Sequence, residues 1–370
     1  MQHVLLVYQQ LIPSAILCGH AQLEYLASAG KIEYEHCCSH QVTAEMISRS
    51  DTVVIIRGAL DFDLLTAKTA KRAGKRVVYV LDDDLFNVPG HIESSRFYGS
   101  MVTKSIMRRI MSCCDCLASP SEKLIEKYGE TFPETALIEE PALPHQQKNF
   151  EVKDKVNIVF AGSLDRTSDI EAVLSDALRR IKSEYGDAVN ITFFGAKPQI
   201  VGELGLDYIG YCMDYYDYMD TMSGRQFDIG LAPMVSNEFS ECKHYNKYIE
   251  YSSYAIAGIY SNVYPYTRAV RNMENGILCS NSSEDWHYAI KNLIDNPELR
   301  SKLRACCRAE AETVYSVKTV SENYLSVLGN SATERTGVSR FRFRVERKLY
   351  RLSVFFARCV WFIRRKLRRN

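Results

Sequence analysis

The chain has 370 residues, a length that predicts two domains and an extension rather than a single core. Hydrophobic residues make up 46% of the sequence, which excludes an intrinsically disordered chain. The net charge is only +1, but residues 338–370 hold ten Arg and two Lys against one Glu. An acidic body with a basic tail predicts an anionic partner for the tail.

The twelve cysteines predict neither disulfides nor a zinc site. Several are direct neighbours, such as Cys37 and Cys38, and adjacent cysteines rarely pair with each other. The first ten residues, MQHVLLVYQQ, lack the basic start and the long apolar core of a secretion signal. We therefore expect a cytoplasmic protein whose cysteines are small buried hydrophobic residues.

Strand and helix patterns alternate through the first 150 residues. Continuous apolar runs separated by helical segments predict a parallel sheet covered on both faces, and hence a Rossmann-like first domain over 1–150. The predicted strands are 3–8, 51–58, 75–84 and 115–120, and the predicted helices are 21–30, 61–74, 94–114 and 121–129.

A polar segment with prolines, 139–155, is typical of a linker, and the alternation restarts after it. This predicts a second Rossmann-like domain over 151–330. The polar segment 330–340 is typical of a second linker, so 331–370 is predicted to be a linker and a tail. The predicted strands of the second domain include 156–163, 189–196 and 227–234, and its predicted helices include 169–186 and two helices within 286–315, divided near Pro297.

Polar residues and glycines follow several predicted strands of the second domain. Open α/β sheets bind ligands beyond the carboxyl ends of their strands, and glycine there lets the backbone approach a phosphate. These strand ends therefore predict a binding site for an anion, although a glycine after a strand commonly only forms a turn. The candidate residues are Gly162, Ser163, Arg166, Gly195, Lys243, Asn246, Lys247 and Glu250.

Lys247 and Glu250 are three residues apart in the predicted helix that begins near His244. The first turn of a helix favours anions, so Lys247 there suits a bound phosphate. Glu250 could accept hydrogen bonds from sugar hydroxyls, as acidic residues do for ribose. Spacing alone also permits a simple surface salt bridge between the two side chains.

Three consecutive aspartates end the strand predicted over 75–84, in the segment YVLDDDLFNVP. Such crowding of like charge favours a nearby cation, hydroxyl donors or solvent. Asp83 is the candidate general base or hydroxyl-binding residue, and Arg57, which closes the previous strand, is its candidate partner. A metal site and a helix N-cap are the alternatives.

The segment 208–222 is rich in Tyr and Asp. Aromatic faces beside acidic side chains suit nucleobases and sugars. A tyrosine-rich core helix explains the same pattern.

The segment 246–303 resembles the donor-binding region of group 1, family 4-like glycosyltransferases. In that family a K-x-x-E-Y helix precedes a small-residue turn, a P-Y segment, an N-G turn, a helix start with Trp, and a D-P-x-L-R turn. FDIGLAP and VFAGS are similar to the same family, and YVLDDDLFNVP resembles a segment of some bacterial surface-polysaccharide glycosyltransferases. The matching residues are Lys247, Glu250, Tyr251, Ala257, Gly258, Pro265, Tyr266, Asn275, Gly276, Glu284, Asp285, Trp286, Asn296, Pro297, Leu299 and Arg300.

The resemblance implies the B-type glycosyltransferase fold (GT-B), an α/β fold in which two Rossmann-like domains face a central cleft. It implies a nucleotide-sugar donor in the second domain, a glycan acceptor in the first, and no metal or other cofactor. Lys247 would contact the diphosphate and Glu250 the ribose, with Ser163 and Arg166 beside the sugar and phosphates. Many family members carry a Glu eight residues before the Glu250 position, where this chain has Cys242 beside Glu241.

Residues 340–370 place apolar side chains at steps of three and four, surrounded by Arg and Lys. This pattern predicts a basic amphipathic C-terminal helix, too short in its apolar part to span a bilayer. An anionic membrane surface is the expected partner, with an oligomer contact or a nucleic-acid tail as alternatives. The predicted row is Val345, Leu349, Leu352, Phe356, Cys359 or Val360, Ile363 and Leu367.

These features predict a hexosyltransferase-type enzyme that is peripheral on the cytoplasmic face of the membrane. It would transfer a sugar from a nucleotide-sugar to a surface glycan, such as a lipid-linked oligosaccharide, in polysaccharide biosynthesis, without binding nucleic acid. The alternative is a non-catalytic glycan- or nucleotide-binding partner of another glycosyltransferase, which Cys242 leaves open.

Overall fold

The structure is a computed structural model that describes residues 1–145, 155–329 and 337–367, with 361–367 described by their backbone alone. The chain forms two compact units. The first domain comprises Met1–Glu140 and the described residues from Val317 onward, and the second comprises Pro141–Ser316. Most of the predicted linker 139–155 and of the predicted linker 330–340 lies outside the described residues.

The first domain is built on a six-stranded sheet of order β2-β1-β3-β4-β5-β6, in which every neighbouring pair is parallel. The central strands are buried along nearly their whole length, because helices cover both faces of a parallel sheet. The strands are β1 (Gln2–Tyr8), β2 (Ile32–Cys38), β3 (Thr52–Ile56), β4 (Arg76–Val80), β5 (Cys116–Ser119) and β6 (Glu134–Leu137). The helices are α1 (Pro13–Ala15), α2 (Ala21–Ser28), α3 (Ala44–Arg49), α4 (Asp61–Arg72), α5 (Ser95–Tyr98), α6 (Met101–Met111) and α7 (Glu122–Tyr128).

The second domain has the same architecture, with a six-stranded parallel sheet of order β12-β11-β10-β7-β8-β9. Trp286 is fully buried in its core. The strands are β7 (Val156–Gly162), β8 (Val189–Gly195), β9 (Asp207–Ile209), β10 (Ile229–Ala232), β11 (Ala257–Ser261) and β12 (Ile277–Cys279). The helices are α8 (Thr167–Val173), α9 (Ser175–Tyr185), α10 (Gln199–Glu203), α11 (Tyr215–Ser223), α12 (Asn246–Ser253), α13 (Tyr266–Ala269), α14 (Ser283–Asp295) and α15 (Pro297–Thr313).

Four strands were not predicted from the sequence: β2, β6, β9 and β12. Each of them is an edge strand of its sheet. β2, β6 and β9 also alternate between buried and exposed positions or are mostly exposed, and β12 has only three residues. Edge strands have one neighbour instead of two, so they need no continuous apolar run and give a weak sequence signal.

The domain boundary predicted at 330 differs from the structure. The helix α16 (Val317–Leu328) belongs to the first domain, where it packs against α2. Tyr324 and Leu328 are buried in the core of the first domain, and the Tyr324 hydroxyl donates a hydrogen bond of 3.0 Å to the Cys18 carbonyl. The chain therefore returns to its first domain after completing the second.

The C-terminal helix α17 (Arg340–Leu367) is present, and one of its faces packs on α3, α4 and α6 of the first domain. On this face Phe343 is buried, and Arg347 lies 5.0 Å from the centre of the Phe62 ring. Arg72 donates two hydrogen bonds to Glu346, of 2.8 and 2.6 Å. Hydrogen bonds from Arg72 and then Arg342 lower the pKa of the Glu346 carboxyl to about 2.

The other face of α17 carries a row of exposed apolar side chains, which we call the outer row: Phe341, Val345, Leu349, Leu352, Phe356 and Val360. It contains most of the predicted apolar positions, while the side chains of Ile363 and Leu367 lie outside the described residues. Across the described parts of the chain, α17 included, no helix has the length and hydropathy needed to cross a bilayer.

Candidate functional site

Two glycines meet where β7 and β8 end. Gly162 and Gly195 are register partners, and Gly195 has a φ of +90°. A Cβ at Gly195 would lie 2.2 Å from the carbonyl oxygen of Gly162, so only glycine fits. Ser163 is exposed directly after Gly162. At the position predicted for a ligand, the carboxyl edge of the second sheet thus has a buried glycine, Gly195, beside the partly exposed Gly162 and the exposed hydroxyl of Ser163.

Arg166 lies in the short 3-10 turn that follows β7, and its guanidinium reaches across to the loop after β10. It donates hydrogen bonds of 3.3 Å to Asp169 and to the carbonyl oxygen of Pro233. Burial raises the pKa of the Tyr266 hydroxyl to about 12, and the charge of Arg166 opposes this rise. Arg166 is therefore a partly buried cation at the same sheet edge as Gly162.

Lys247 and Glu250 lie in α12, as predicted, and they form an ion pair. The ammonium of Lys247 donates to both carboxylate oxygens of Glu250, at 2.8 and 2.7 Å. Their side chains are 24% and 14% exposed, so the pair is more buried than an ordinary surface salt bridge. Each side chain nevertheless keeps part of its surface exposed.

Tyrosines surround this ion pair. The hydroxyl of Tyr218 in α11 donates a hydrogen bond to the carboxylate of Glu250. The Lys247 ammonium lies 5.7 Å from the centre of the Tyr218 ring and 5.9 Å from that of Tyr251. The charges of Glu250 and Arg166 both act on the pKa of Tyr251, which burial raises well above its usual value. Tyr251 also donates a hydrogen bond of 3.0 Å to the Leu231 carbonyl, two residues before the Pro233 carbonyl that Arg166 binds, so the fold brings Arg166 and the Lys247–Glu250 pair into one region.

Two other candidates make local contacts, Asn246 at the first position of α12 and Lys243 in the loop before it. The side-chain oxygen of Asn246 lies 2.6 Å from Nδ1 of His244, and the Lys243 ammonium lies 4.6 Å from the centre of the Phe239 ring. Cys242 is buried, and Glu241 accepts a hydrogen bond of 2.8 Å from Ser236. The position where the resembling family has a Glu is therefore an apolar, buried one in this chain.

Arg57 and the aspartates form a separate charged cluster in the first domain. Arg57 has a φ of +51°, an uncommon conformation for a residue with a side chain. One terminal nitrogen, Nη1, donates to Ser14 at 2.8 Å and to Asp82 at 3.3 Å, and Nη2 lies 3.5 Å from Asp83. Burial lowers the pKa of the Arg57 guanidinium, but the negative charges of Asp82 and Asp83 raise it, and the net pKa lies above the usual value. Arg57 and Asp83 are thus neighbours, as predicted, and Asp82 is a third member that the prediction did not name.

Asp84, the last of the three aspartates, has a structural role. It is fully buried and accepts hydrogen bonds from Lys127 at 2.8 Å, Tyr128 at 2.6 Å and Asn87 at 2.9 Å. It does not cap a helix, since α5 begins only at Ser95. Within the described ranges no group of three or more His, Cys, Asp or Glu side chains is placed to hold a metal ion.

Similar proteins were found by comparing structures and not by comparing sequences. No protein-family model matches the chain, and no curated protein matches it by sequence. The structure of Anabaena HepE in complex with UDP and glucose is similar, with a TM-score of 0.59 and 13% identity over 89% of this chain and 99% of that one. A glycosyltransferase from Rickettsia africae has a TM-score of 0.60 and 13% identity over 88% of this chain and 97% of its own. OtsA, in its apo structure, has a TM-score of 0.56 and 12% identity over 90% and 100% of the two chains.

At such low identity these likenesses concern the fold alone. They agree with the architecture of each domain, a six-stranded parallel sheet between helices. The chain therefore has the two-domain GT-B fold that its sequence predicted.

Proposed function

We propose that this protein is a glycosyltransferase that moves a sugar from a nucleotide-sugar to a glycan acceptor. The observation that carries the proposal is the partly buried Lys247–Glu250 pair of α12, in one region with Arg166 at the carboxyl edge of the second sheet. Glycosyl transfer from a nucleotide-sugar expels a diphosphate, and cations at a helix N-terminus stabilise that developing charge.

The donor would bind to the second domain. Lys247 and Arg166 are the cations for the diphosphate, and Glu250 is the acceptor for the ribose hydroxyls. HepE, which has the same fold, binds UDP, glucose and UDP-glucose in its crystal structures, and this supports UDP-glucose as the first donor to test. Because these side chains can balance the diphosphate, we expect turnover to persist in the presence of a chelator.

The acceptor would bind to the first domain, near Arg57, Asp82 and Asp83. This cluster offers a cation and two carboxylates, groups suited to binding sugar hydroxyls and to taking up a proton. We further propose that the acceptor is a lipid-linked glycan of a surface polysaccharide and that α17 rests on an anionic membrane. The exposed outer row of α17 and the positive charge of residues 338–370 support this, because apolar insertion and charge attraction together bind interfacial helices.

Replacing Lys247 tests the donor assignment. In Lys247→Ala the diphosphate loses a charge-assisted hydrogen bond, so we expect UDP to bind about tenfold more weakly or worse in titration calorimetry. Lys302→Ala is the matched control, since Lys302 is exposed on α15 and should not change UDP affinity. Equal UDP affinity of Lys247→Ala and wild type would show that the diphosphate binds elsewhere.

Turnover separates the enzyme from a non-catalytic binding protein. The wild-type protein should release UDP from UDP-glucose, and added membranes that carry glycan acceptors should accelerate the release. A protein that binds UDP but releases none from any nucleotide-sugar offered would instead be a partner of another transferase, an outcome that the buried Cys242 makes worth testing.

A further inference from the structure

Tyr218 is the residue that joins the tyrosine-rich segment to the charged pair. It lies in α11, its ring packs 4.7 Å from that of Phe194 near the end of β8, and a second ring, that of Tyr215, stacks on it at 5.9 Å. These contacts hold the hydroxyl of Tyr218 at Glu250, to which it donates a hydrogen bond. The residue is thus anchored on an element other than the one that carries Glu250.

Tyr218 stays protonated and therefore always donates. Burial, and then the charge of Glu250, raise the pKa of its hydroxyl well above the usual value. The carboxylate of Glu250 has two kinds of partner in the structure, the charged Lys247 and the neutral Tyr218. An anionic ligand attracts the charged ammonium of Lys247 more strongly than the neutral hydroxyl of Tyr218.

A diphosphate that binds Lys247 competes with Glu250 for the ammonium. When the ammonium turns to the phosphates, Glu250 loses its charged partner inside a partly buried site, and an unpaired buried carboxylate is costly. The Tyr218 hydroxyl remains as a fixed donor to one oxygen. It thereby keeps the carboxylate in place, with its remaining acceptor positions available to a pair of ribose hydroxyls.

We propose that Tyr218 is a positioning residue for the nucleotide: it holds Glu250 ready for the ribose while Lys247 exchanges its carboxylate partner for the diphosphate. This inference rests on the proposed nucleotide-sugar site and adds to it a specific role for the segment 208–222. Tyr218 acts through Glu250 and need not touch the nucleotide.

A double-mutant cycle with UDP as the ligand tests the role. We expect Tyr218→Phe and Glu250→Gln each to weaken UDP binding by about fivefold to tenfold, because each disrupts the same ribose contact. The double variant should bind no more weakly than Glu250→Gln alone, since Tyr218 acts only through Glu250. Tyr216→Phe, an exposed tyrosine of the same helix, is the matched control and should bind UDP like the wild type.

A merely structural role gives another pattern. If Tyr218→Phe loosens α11 in general, its effect on UDP affinity will be the same in the Glu250→Gln protein, and the two losses will multiply. That result would overturn the inference and leave the proposed function standing. Absence of UDP binding by the wild-type protein would instead remove the proposed donor site, and with it the role of Tyr218.

A comparison of two ligands within each protein does not depend on how much of a variant is folded. The wild type should prefer UDP to 2′-deoxy-UDP, and Tyr218→Phe should reduce this preference severalfold because Glu250 is less well placed for the hydroxyls. An unchanged preference in Tyr218→Phe would also overturn the positioning role.

Discussion

At the scale of single residues, the charges of the candidate donor site are already satisfied without a ligand. Lys247 and Glu250 pair with each other, and Arg166 binds Asp169 and the Pro233 carbonyl. A nucleotide must therefore replace existing contacts, and its affinity reflects only the difference between old and new partners.

Gly195 offers the sharpest stability test at this scale. In Gly195→Ala the new Cβ would lie 2.2 Å from the Gly162 carbonyl oxygen, and φ is +90°, so the strand ends must separate. We expect unfolding in urea to show a loss of about 2 kcal/mol or more. Gly202→Ala is the control, because a Cβ at this glycine of α10 meets nothing within 4 Å, and alanine there should stabilise by about 0.5–1 kcal/mol. Two losses of similar size would contradict the steric argument.

The sequence allowed some of these residues to be predicted and not others. Lys247 and Glu250 are separated by one helical turn, so their proximity follows from local spacing alone. Tyr218 and Glu250 are 32 positions apart, and their contact depends on how α11 packs beside α12. The contact between Asp82 and Arg57 was not predicted for a related reason. A run of three aspartates does not show which of them lie beside Arg57 and which, like Asp84, are buried.

At the scale of elements, burial decided what could be predicted. The central strands of both sheets are continuous apolar runs and were identified from their sequence. The helix predicted over 94–114 is instead two helices, α5 and α6, because the first ends at Gly99 and the backbone of Ser100 is extended, with a ψ of 132°. A glycine inside an apolar helical pattern was thus a better guide than the pattern itself.

The helix α17 gives an element-scale prediction about membranes. Leu352→Asp puts a charge into the exposed outer row, and we expect binding to vesicles that contain phosphatidylserine to fall more than about tenfold, since a leucine contributes about 2 kcal/mol when buried. Leu137→Asp, the same change at an exposed leucine of β6, should leave cosedimentation with these vesicles unchanged. Equal binding of all three proteins would assign the outer row to another partner, such as a second protein.

At the scale of the whole molecule, the first domain is discontinuous in sequence. Its core includes Tyr324, Val327 and Leu328 of α16, and Gln2 and Thr52 donate hydrogen bonds of 3.1 and 3.0 Å to the Leu328 carbonyl. The sequence did not predict this return, because α16 follows α15 directly and nothing in its composition shows which domain it covers.

Leu328→Ala tests the assignment of α16. Leu328 is fully buried in the first domain, and its truncation should cost about 2–5 kcal/mol of unfolding free energy. Hydrogen exchange should then rise in peptides from 1–140, while UDP affinity, which we propose to reside in the second domain, should stay unchanged. Ser326→Ala, at an exposed position of the same helix, should have an effect within about 0.5 kcal/mol. Loss of protection confined to 155–316 would contradict the assignment.

The return of α16 also sets the order in which the domains mature during synthesis. A ribosome releases the second domain in full once Ser316 has emerged, when the first domain still lacks part of its core. The part of the protein made first therefore finishes folding last, and until then the surface of α2 that α16 covers is exposed to chaperones and to aggregation. A translational pause within the second domain would prolong the exposure of this α2 surface. Slow elongation there should therefore cause more aggregation of this chain than of a protein whose domains are each continuous in sequence.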